Sequence, residues 1–296
     1  MSDTRVSQPG APAVGILRRG KRALEAVVRR MPGFPERYFA LTQWRLEHLT
    51  TLALPTHMGT KELSKAVLNR FGFEVRRLTR NPKFNTLGLK RLGIRTVIDI
   101  GANEGQFARY ITGVLLCSRV YSFEPLSGAY SKLKSWAEGV AGPQIATFNL
   151  ALGREPGWVE IHEHLDLSPH SSLLATTELS HAIYPQTRHQ RDERIRMETL
   201  DGFFDKEIVN LEREILLKLD IQGYEDRVLR GAPALLRKTL ACLLEVNFDP
   251  LYEEQASFHD IYQILFDAGF RYAGCFHQTY GEDGHVITAD EFFLHA

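Results

Sequence analysis

Asp220 and Lys218 sit two residues apart in Ile215-Leu216-Leu217-Lys218-Leu219-Asp220, an apolar run interrupted by one cation and ended by one acid. Side chains alternate along a strand, so the two charges share one face while Leu217 and Leu219 take the other. An acid delivered at the end of such a strand can take a proton, orient a hydroxyl or bind a metal; the pair can equally be an ion pair bracing the next turn. Glu245 and Asn247 close a second apolar run, Leu240 to Val246, and would border the same cleft. Asp220 with Glu245 or Asn247 could supply hard oxygen ligands for magnesium, although nothing in the spacing demands one.

A second constellation runs Thr96-Val97-Ile98-Asp99-Ile100-Gly101-Ala102-Asn103-Glu104-Gly105 and continues into a helical stretch, Gln106 to Val114. Glycines at 101 and 105 permit tight turning and close approach of a ligand, and a helix N-terminus offers free N–H donors. The spacing is GxxxG, with Asn103 where a dinucleotide fingerprint needs its second glycine, so a pyrophosphate turn is disfavoured. Asp99, just before the turn, would repel a diphosphate; it could attract the cationic methionine end of S-adenosylmethionine, directly or through water, or cap the turn. The next apolar run, Arg119 to Phe123, ends at Glu124-Pro125. An acid there can accept both ribose hydroxyls, or cap the helix expected over Leu126 to Glu138, and Pro125 at N1 suits either role.

Other polar residues are candidates for the acceptor side. His170 stands beside Ser171-Ser172 in a Pro-containing loop and is a catalytic candidate; His277 follows the sixth apolar run. Ser171, Ser172, Gln222, Asn247 and His277 are the expected acceptor contacts. His162 and His164, with Glu160, would share a strand face as a metal cluster or a solvated edge. The polar stretch from Pro169 to Thr199 reads as a substrate lid or a surface loop.

These groups need a scaffold that brings strand ends together. From Thr96 onward short apolar runs alternate with helix-like stretches, the pattern of a mostly parallel sheet covered by helices on both faces. Strands are expected near 96–100, 119–123, 145–150, 215–219, 240–246, 271–275 and 291–295. Ahead of them come a tail over 1–15, a basic helical extension over 16–80 and a boundary at Asn81-Pro82, leaving 81–296 as the catalytic domain.

Asp99 to Gly105, Phe123-Glu124-Pro125, Asn149 to Gly153, Ser171-Ser172-Leu173, Thr199-Leu200-Asp201 and Lys218 to Glu225 occur in the order seen in FkbM-type methyltransferases, which the chain resembles over residues 84–250. The resemblance implies a seven-stranded class I methyltransferase fold, methyl transfer from S-adenosylmethionine to a hydroxyl, commonly on a sugar or natural-product scaffold, and Ala151-Leu152 beside the adenine. With the residues above, the expected cofactor contacts are Asp99, Gly101, Ala102, Asn103, Gly105, Glu124, Pro125, Ala151, Leu152 and Asp220. Tyr224 departs from the family pattern, which has a small residue before the glutamate. N- or C-methylation on the same fold, or a binding protein that kept the cofactor site, are the alternatives.

Charge divides the chain. Residues 1–95 hold 19 Lys and Arg against 6 Asp and Glu, whereas 96–296 hold 17 against 30, so any anionic surface would meet the N-terminal part first. That part could contact an anionic membrane or dock on the acidic domain; nucleic acid is disfavoured because no aromatic recognition motif accompanies the cations. No run approaches the roughly 20 apolar residues of a membrane span, and Cys117, Cys242 and Cys275 form no CxxC pair. The expected setting is cytoplasmic, peripheral at a membrane if the basic segment binds one, with a small-molecule or glycan or glycolipid acceptor.

Overall fold

The computed structural model describes residues 86–115, 119–142, 144–206, 211 and 214–296. The expected tail, basic extension and boundary at 81 therefore lie outside the described residues. The strands are β1 Thr96–Ile100, β2 Arg119–Phe123, β3 Ile145–Phe148, β4 Ala151–Leu152, β5 Gly157–His164, β6 Gln190–Glu198, β7 Ile215–Leu219, β8 Thr239–Asn247, β9 Phe270–Tyr280 and β10 Val286–His295. Between them lie α1 Gln106–Val114, α2 Ser127–Glu138, α3 Glu178–Ile183, α4 Leu200–Lys206, α5 Glu225–Arg230, α6 Pro233–Leu236 and α7 Phe258–Asp267.

Seven strands form one sheet in the order β3-β2-β1-β7-β8-β10-β9. β10 runs antiparallel to both neighbours, and the other pairings are parallel. This is the class I methyltransferase architecture. Strand order reverses between β1 and β7, so their carboxyl ends open a crevice where ligands bind in such sheets. Every residue of β1 and β7 is buried, as expected of central parallel strands covered on both faces. Val97 and Leu216 pack with Ala108 and Ile111 of α1 on one face. Ile98, Leu217 and Leu219 pack with Phe203, Val228 and Ile261 on the other. The alternation read from the β7 sequence is thus realised, with Lys218 opposite Asp99 in the β1–β7 register.

Three expectations change. The strand near 145–150 splits, because Asn149 turns the chain by donating to the carbonyls of Glu124 (3.0 Å) and Pro125 (2.8 Å), and β4 leaves to join a second sheet, β4-β6-β5. That sheet was not foreseen; β6 occupies the second half of the stretch read as a lid or loop. Its first positions, Gln190-Arg191-Asp192-Glu193, are polar and the first three are exposed, so its strand signal is diluted. The last two strands are longer than expected and pair as a hairpin. Among the described residues no helix is long and apolar enough to cross a membrane.

Candidate active site

The turn after β1 is held by backbone bonds before any side chain acts. Gly101 N and Ala102 N donate to Phe123 O at 3.1 and 3.0 Å, and Asp220 N donates to Ile100 O at 3.1 Å. Gly101 adopts φ +73°, and a Cβ there would lie 1.9 Å from the carbonyl oxygen of Asp220, so only glycine lets the two loops touch. Asn103 is also left-handed, at φ 47°, which turns its N–H toward Glu124.

Glu124 anchors this end of the site. Its Oε2 accepts from Asn103 N at 2.7 Å and its Oε1 from Leu126 N at 2.9 Å, so it both ties the β1 turn to β2 and precedes α2. Burial pushes its carboxyl up to about 7, against the pull of the two backbone donors. Each oxygen keeps a second lone pair, and the residue lines a cleft with Pro125, Ala151, Leu152, Ser171 and Ser172. That cleft spans about 570 Å³ including its open mouth.

A second cleft, about 850 Å³ with its mouth, is lined by Ala102, Gln106, Phe107, Lys218, Glu245 and Asp290. Gly101, Asn103, Pro169 and Asp220 line both. Asp220 therefore stands at the junction, its side chain 38% exposed toward the clefts although protein surrounds it on the other sides. Its Oδ2 lies 3.4 Å from Lys218 Nζ and its Oδ1 accepts from Gln222 Nε2 at 2.9 Å. Burial acts to raise the Asp220 carboxyl, but Lys218, Gln222 and Glu245 together hold it below its ordinary value. Burial and the Asp220 charge push Glu245 well up while Asp220 is held down, so of the two acids Glu245 holds a proton more tightly. Lys218 stays charged: burial alone would lower it, but Asp220 and Asp99 hold it above the usual range. Its Nζ also donates to Gly101 O at 3.3 Å.

Several sequence candidates occupy other positions. Asp99 is fully buried, 3.3 Å from Lys218 Nζ, and lines neither cleft. Gly105 faces α2, where a Cβ would meet Leu133 and Trp136 at 3.0 Å. Gln222 is buried in a clamp beneath Asp220 instead of lining a cleft, and Asn247 is buried at the end of β8. The His170 ring packs 4.5 Å from Tyr184 and lines neither cleft, and burial lowers its pKa. His277 is exposed on β9, away from both clefts. His162 pairs with Asp192 at 2.7 Å, and among the described residues no group of three His, Cys, Asp or Glu is arranged to hold a metal. Sequence reasoning missed Gln106, Phe107 and Asp290 in the second cleft and Tyr252 below it. Only the helix position of the first two, directly after the glycine turn, offered a signal.

The first cleft fits the adenosine half of S-adenosylmethionine. Leu150, Leu152, Phe123 and Ile161 give an apolar slot, and Glu124 gives a carboxylate at the end of β2 for hydroxyl donors. A pH dependence follows. Hydroxyl donors favour ionised Glu124, so binding near neutrality should release a proton, and affinity should fall by up to about tenfold per pH unit below pH about 7. In the cofactor-free fold the sign is opposite. The raised carboxyl favours the folded state below the ordinary carboxylate range, and that contribution is lost as pH rises through about 7. Calorimetry in buffers of different ionisation enthalpy should detect the released proton in the wild type and not in Glu124→Gln; equal proton release by both would remove Glu124 from the site.

A family model described as "Methyltransferase FkbM domain" matches residues 99–272, more than half of the chain. "Methyltransferase 1" of Beauveria bassiana (strain ARSEF 2860) is 28% identical over 145 residues, 46% of this chain and 57% of that protein, so the match spans little more than half the relative's length. Among solved structures, magnesium protoporphyrin IX methyltransferase from Synechocystis PCC 6803 with bound SAM aligns with a TM-score of 0.41 at 12% identity, covering 82% of this chain and 100% of that one. An rRNA methylase from Streptococcus thermophilus aligns with a TM-score of 0.41 at 11% identity, covering 75% and 99%.

Proposed function

The chain belongs to the FkbM methyltransferase family, and from that premise we propose that it transfers a methyl group from S-adenosylmethionine to a hydroxyl of a sugar, glycolipid or secondary metabolite. The observation that carries the reading is the position of Asp220, which lines both the Glu124 cleft and the Lys218–Glu245 cleft. A donor in the first and an acceptor in the second would meet at this carboxylate. When bound, S-adenosylmethionine supplies an electrophilic methyl group on a sulfonium.

The chain's own residues then align and deprotonate the acceptor. Ionised Asp220 accepts the acceptor's O–H, which points an oxygen lone pair toward the donor cleft. As the new O–C bond forms and the S–C bond breaks, the hydroxyl proton passes to Asp220 and from there to solvent. Lys218 and Gln222 fix the carboxylate for this role, and protonated Glu245 leaves the negative charge on Asp220. Ionised Asp220, with Asp290 lining the same cleft, disfavours an anionic acceptor, which supports a neutral hydroxyl compound.

A mass-shift screen tests this: neutral glycosides, glycolipids and polyols, with anionic and amine analogues as controls, are incubated with methyl-labelled cofactor. Label on the oxygen of a neutral hydroxyl compound is the expected result. Label confined to nitrogen or carbon would overturn hydroxyl transfer. Peripheral membrane contact through the basic N-terminal region is part of the same proposal. Flotation with anionic vesicles should recover the full chain, and equal recovery after deletion of residues 1–30 would rule that segment out.

A further inference from the structure

Gln222 is a non-glycine residue held at φ 57°, a conformation that asparagine or glycine adopts more readily. Its side chain is buried and reaches three functional groups. Nε2 donates to Asp220 Oδ1 at 2.9 Å and to Glu245 Oε2, and Oε1 faces the hydroxyl of Tyr252 at 2.6 Å. Tyr252 is 1% exposed, and its hydroxyl also lies 3.0 Å from His170 O. The main chain of Gln222 is tied as well, because Ser172 Oγ donates to its carbonyl at 2.7 Å.

We propose that Tyr252 and Gln222 are positioning residues for methyl transfer, a clamp that fixes the hydrogen-bond sense of the Asp220–Glu245 pair and aims Asp220 at the acceptor cleft; the proposal rests on the role given to Asp220 above. The donor count requires it. An amide has two N–H donors and one carbonyl acceptor. Reversed, its oxygen would sit 2.9 Å from Asp220 Oδ1, with no proton on the ionised carboxylate to join them. The Tyr252 hydroxyl, donating to Oε1, holds the amide in the sense that gives one N–H to each acid. Both acids then lie side by side with one proton between them, and Glu245 keeps it. Asp220 is left with one oxygen on Gln222 and one near Lys218, and its free lone pairs face the clefts.

Other charged groups surround the pair. Lys218 and Asp99 lie beneath, Asp290 pairs across from Glu245 on β10, and Glu225 opens α5. Tyr252 supplies the donor to the amide oxygen, its 2.6 Å contact there being shorter than the 3.0 Å one to His170 O.

Carboxyl-carbon NMR on the full chain, labelled at Asp and Glu, tests the clamp without cofactor or acceptor. Asp220→Asn and Glu245→Gln assign the two signals. In the wild type Glu245 should titrate well above its ordinary range and Asp220 below its own. Tyr252→Phe removes one hydroxyl, and Gln222→Asn suits the left-handed backbone but is too short to reach both acids. In each, the two apparent pKa values should draw together by about one pH unit or more, while affinity for S-adenosylmethionine stays within about twofold. If the titrations in both folded variants match the wild type, or if cofactor affinity falls more than about tenfold, the clamp is refuted. Absence of cofactor binding in the wild type would instead refute the methyltransferase reading and leave the titration result standing.

Discussion

Asp220→Asn should lower turnover by about 10²-fold or more, the scale of removing a general base, while affinity for S-adenosylmethionine changes only a few-fold. The substitution keeps size and removes charge at the junction of the two clefts. Lys218 retains Asp99 at 3.3 Å, so its ammonium keeps a partner and the β1–β7 core is preserved. Asparagine must also place its amide nitrogen toward either Gln222 Nε2 or Lys218, two donors, so its side chain will sit less firmly. Steady-state rates on the acceptor found by the labelled-cofactor screen, with calorimetric affinities alongside, provide the measurement. Adding magnesium and then a chelator separates proton acceptance from metal ligation, because only the second makes wild-type activity chelator-sensitive. Near-normal turnover in Asp220→Asn would remove it from the chemistry and turn attention to Glu245, its neighbour in the same cleft.

Gly101→Val should abolish cofactor binding, and it should also cost stability. From sequence alone a side chain at 101 is expected to fill cofactor space and leave the fold intact. The structure places the clash elsewhere: a Cβ would lie 1.9 Å from the Asp220 backbone oxygen, and φ is +73°. No side-chain rotation relieves contact with a carbonyl, so the β1 and β7 turns must separate, and a β-branched residue at positive φ adds strain. Thermal melts should show a clear drop, and calorimetry no binding by the fraction still folded. A variant that melts and binds like the wild type would show that the two turns do not need this contact.

Glu124→Ala is expected to weaken both stability and cofactor affinity, because Asn103 N and Leu126 N lose their acceptor. Each buried donor so stranded costs about 1–3 kcal/mol. Structural and ligand-binding roles, alternatives in the sequence, therefore coincide at this residue.

The strands that carry the site were legible because β1 and β7 are short, nearly continuous apolar runs. The glycine turn and Glu124 were legible for the same reason, each lying directly at a strand end. What the sequence hid depends on contacts between distant segments. Asp99 reads as a ligand contact, and only the β1–β7 register reveals its ion pair with Lys218. Gln222 and Asn247 sit in motif positions that suggest substrate, yet their side chains turn inward, and nothing local announces that Tyr252 lies under Gln222. The block Thr199-Leu200-Asp201 is explained by packing instead of chemistry, since Asp201 accepts from Ala234 N and Leu235 N at 2.7 and 2.8 Å and so caps α6. β6 escaped notice, and β5 was read only through the shared strand face of Glu160, His162 and His164, because their charged, exposed positions lack the apolar continuity that marked the central strands.

The central claim is that the Glu124 cleft holds S-adenosylmethionine with its reactive end at Asp220. Calorimetric titration of S-adenosylmethionine into the full chain, and into Glu124→Ala, tests it most directly. The expected result is a single saturable site of roughly micromolar to millimolar affinity, weakened at least about tenfold by Glu124→Ala, where a charge-assisted acceptor is lost. No saturable binding by folded wild-type protein, or equal affinity in the two proteins, would contradict it.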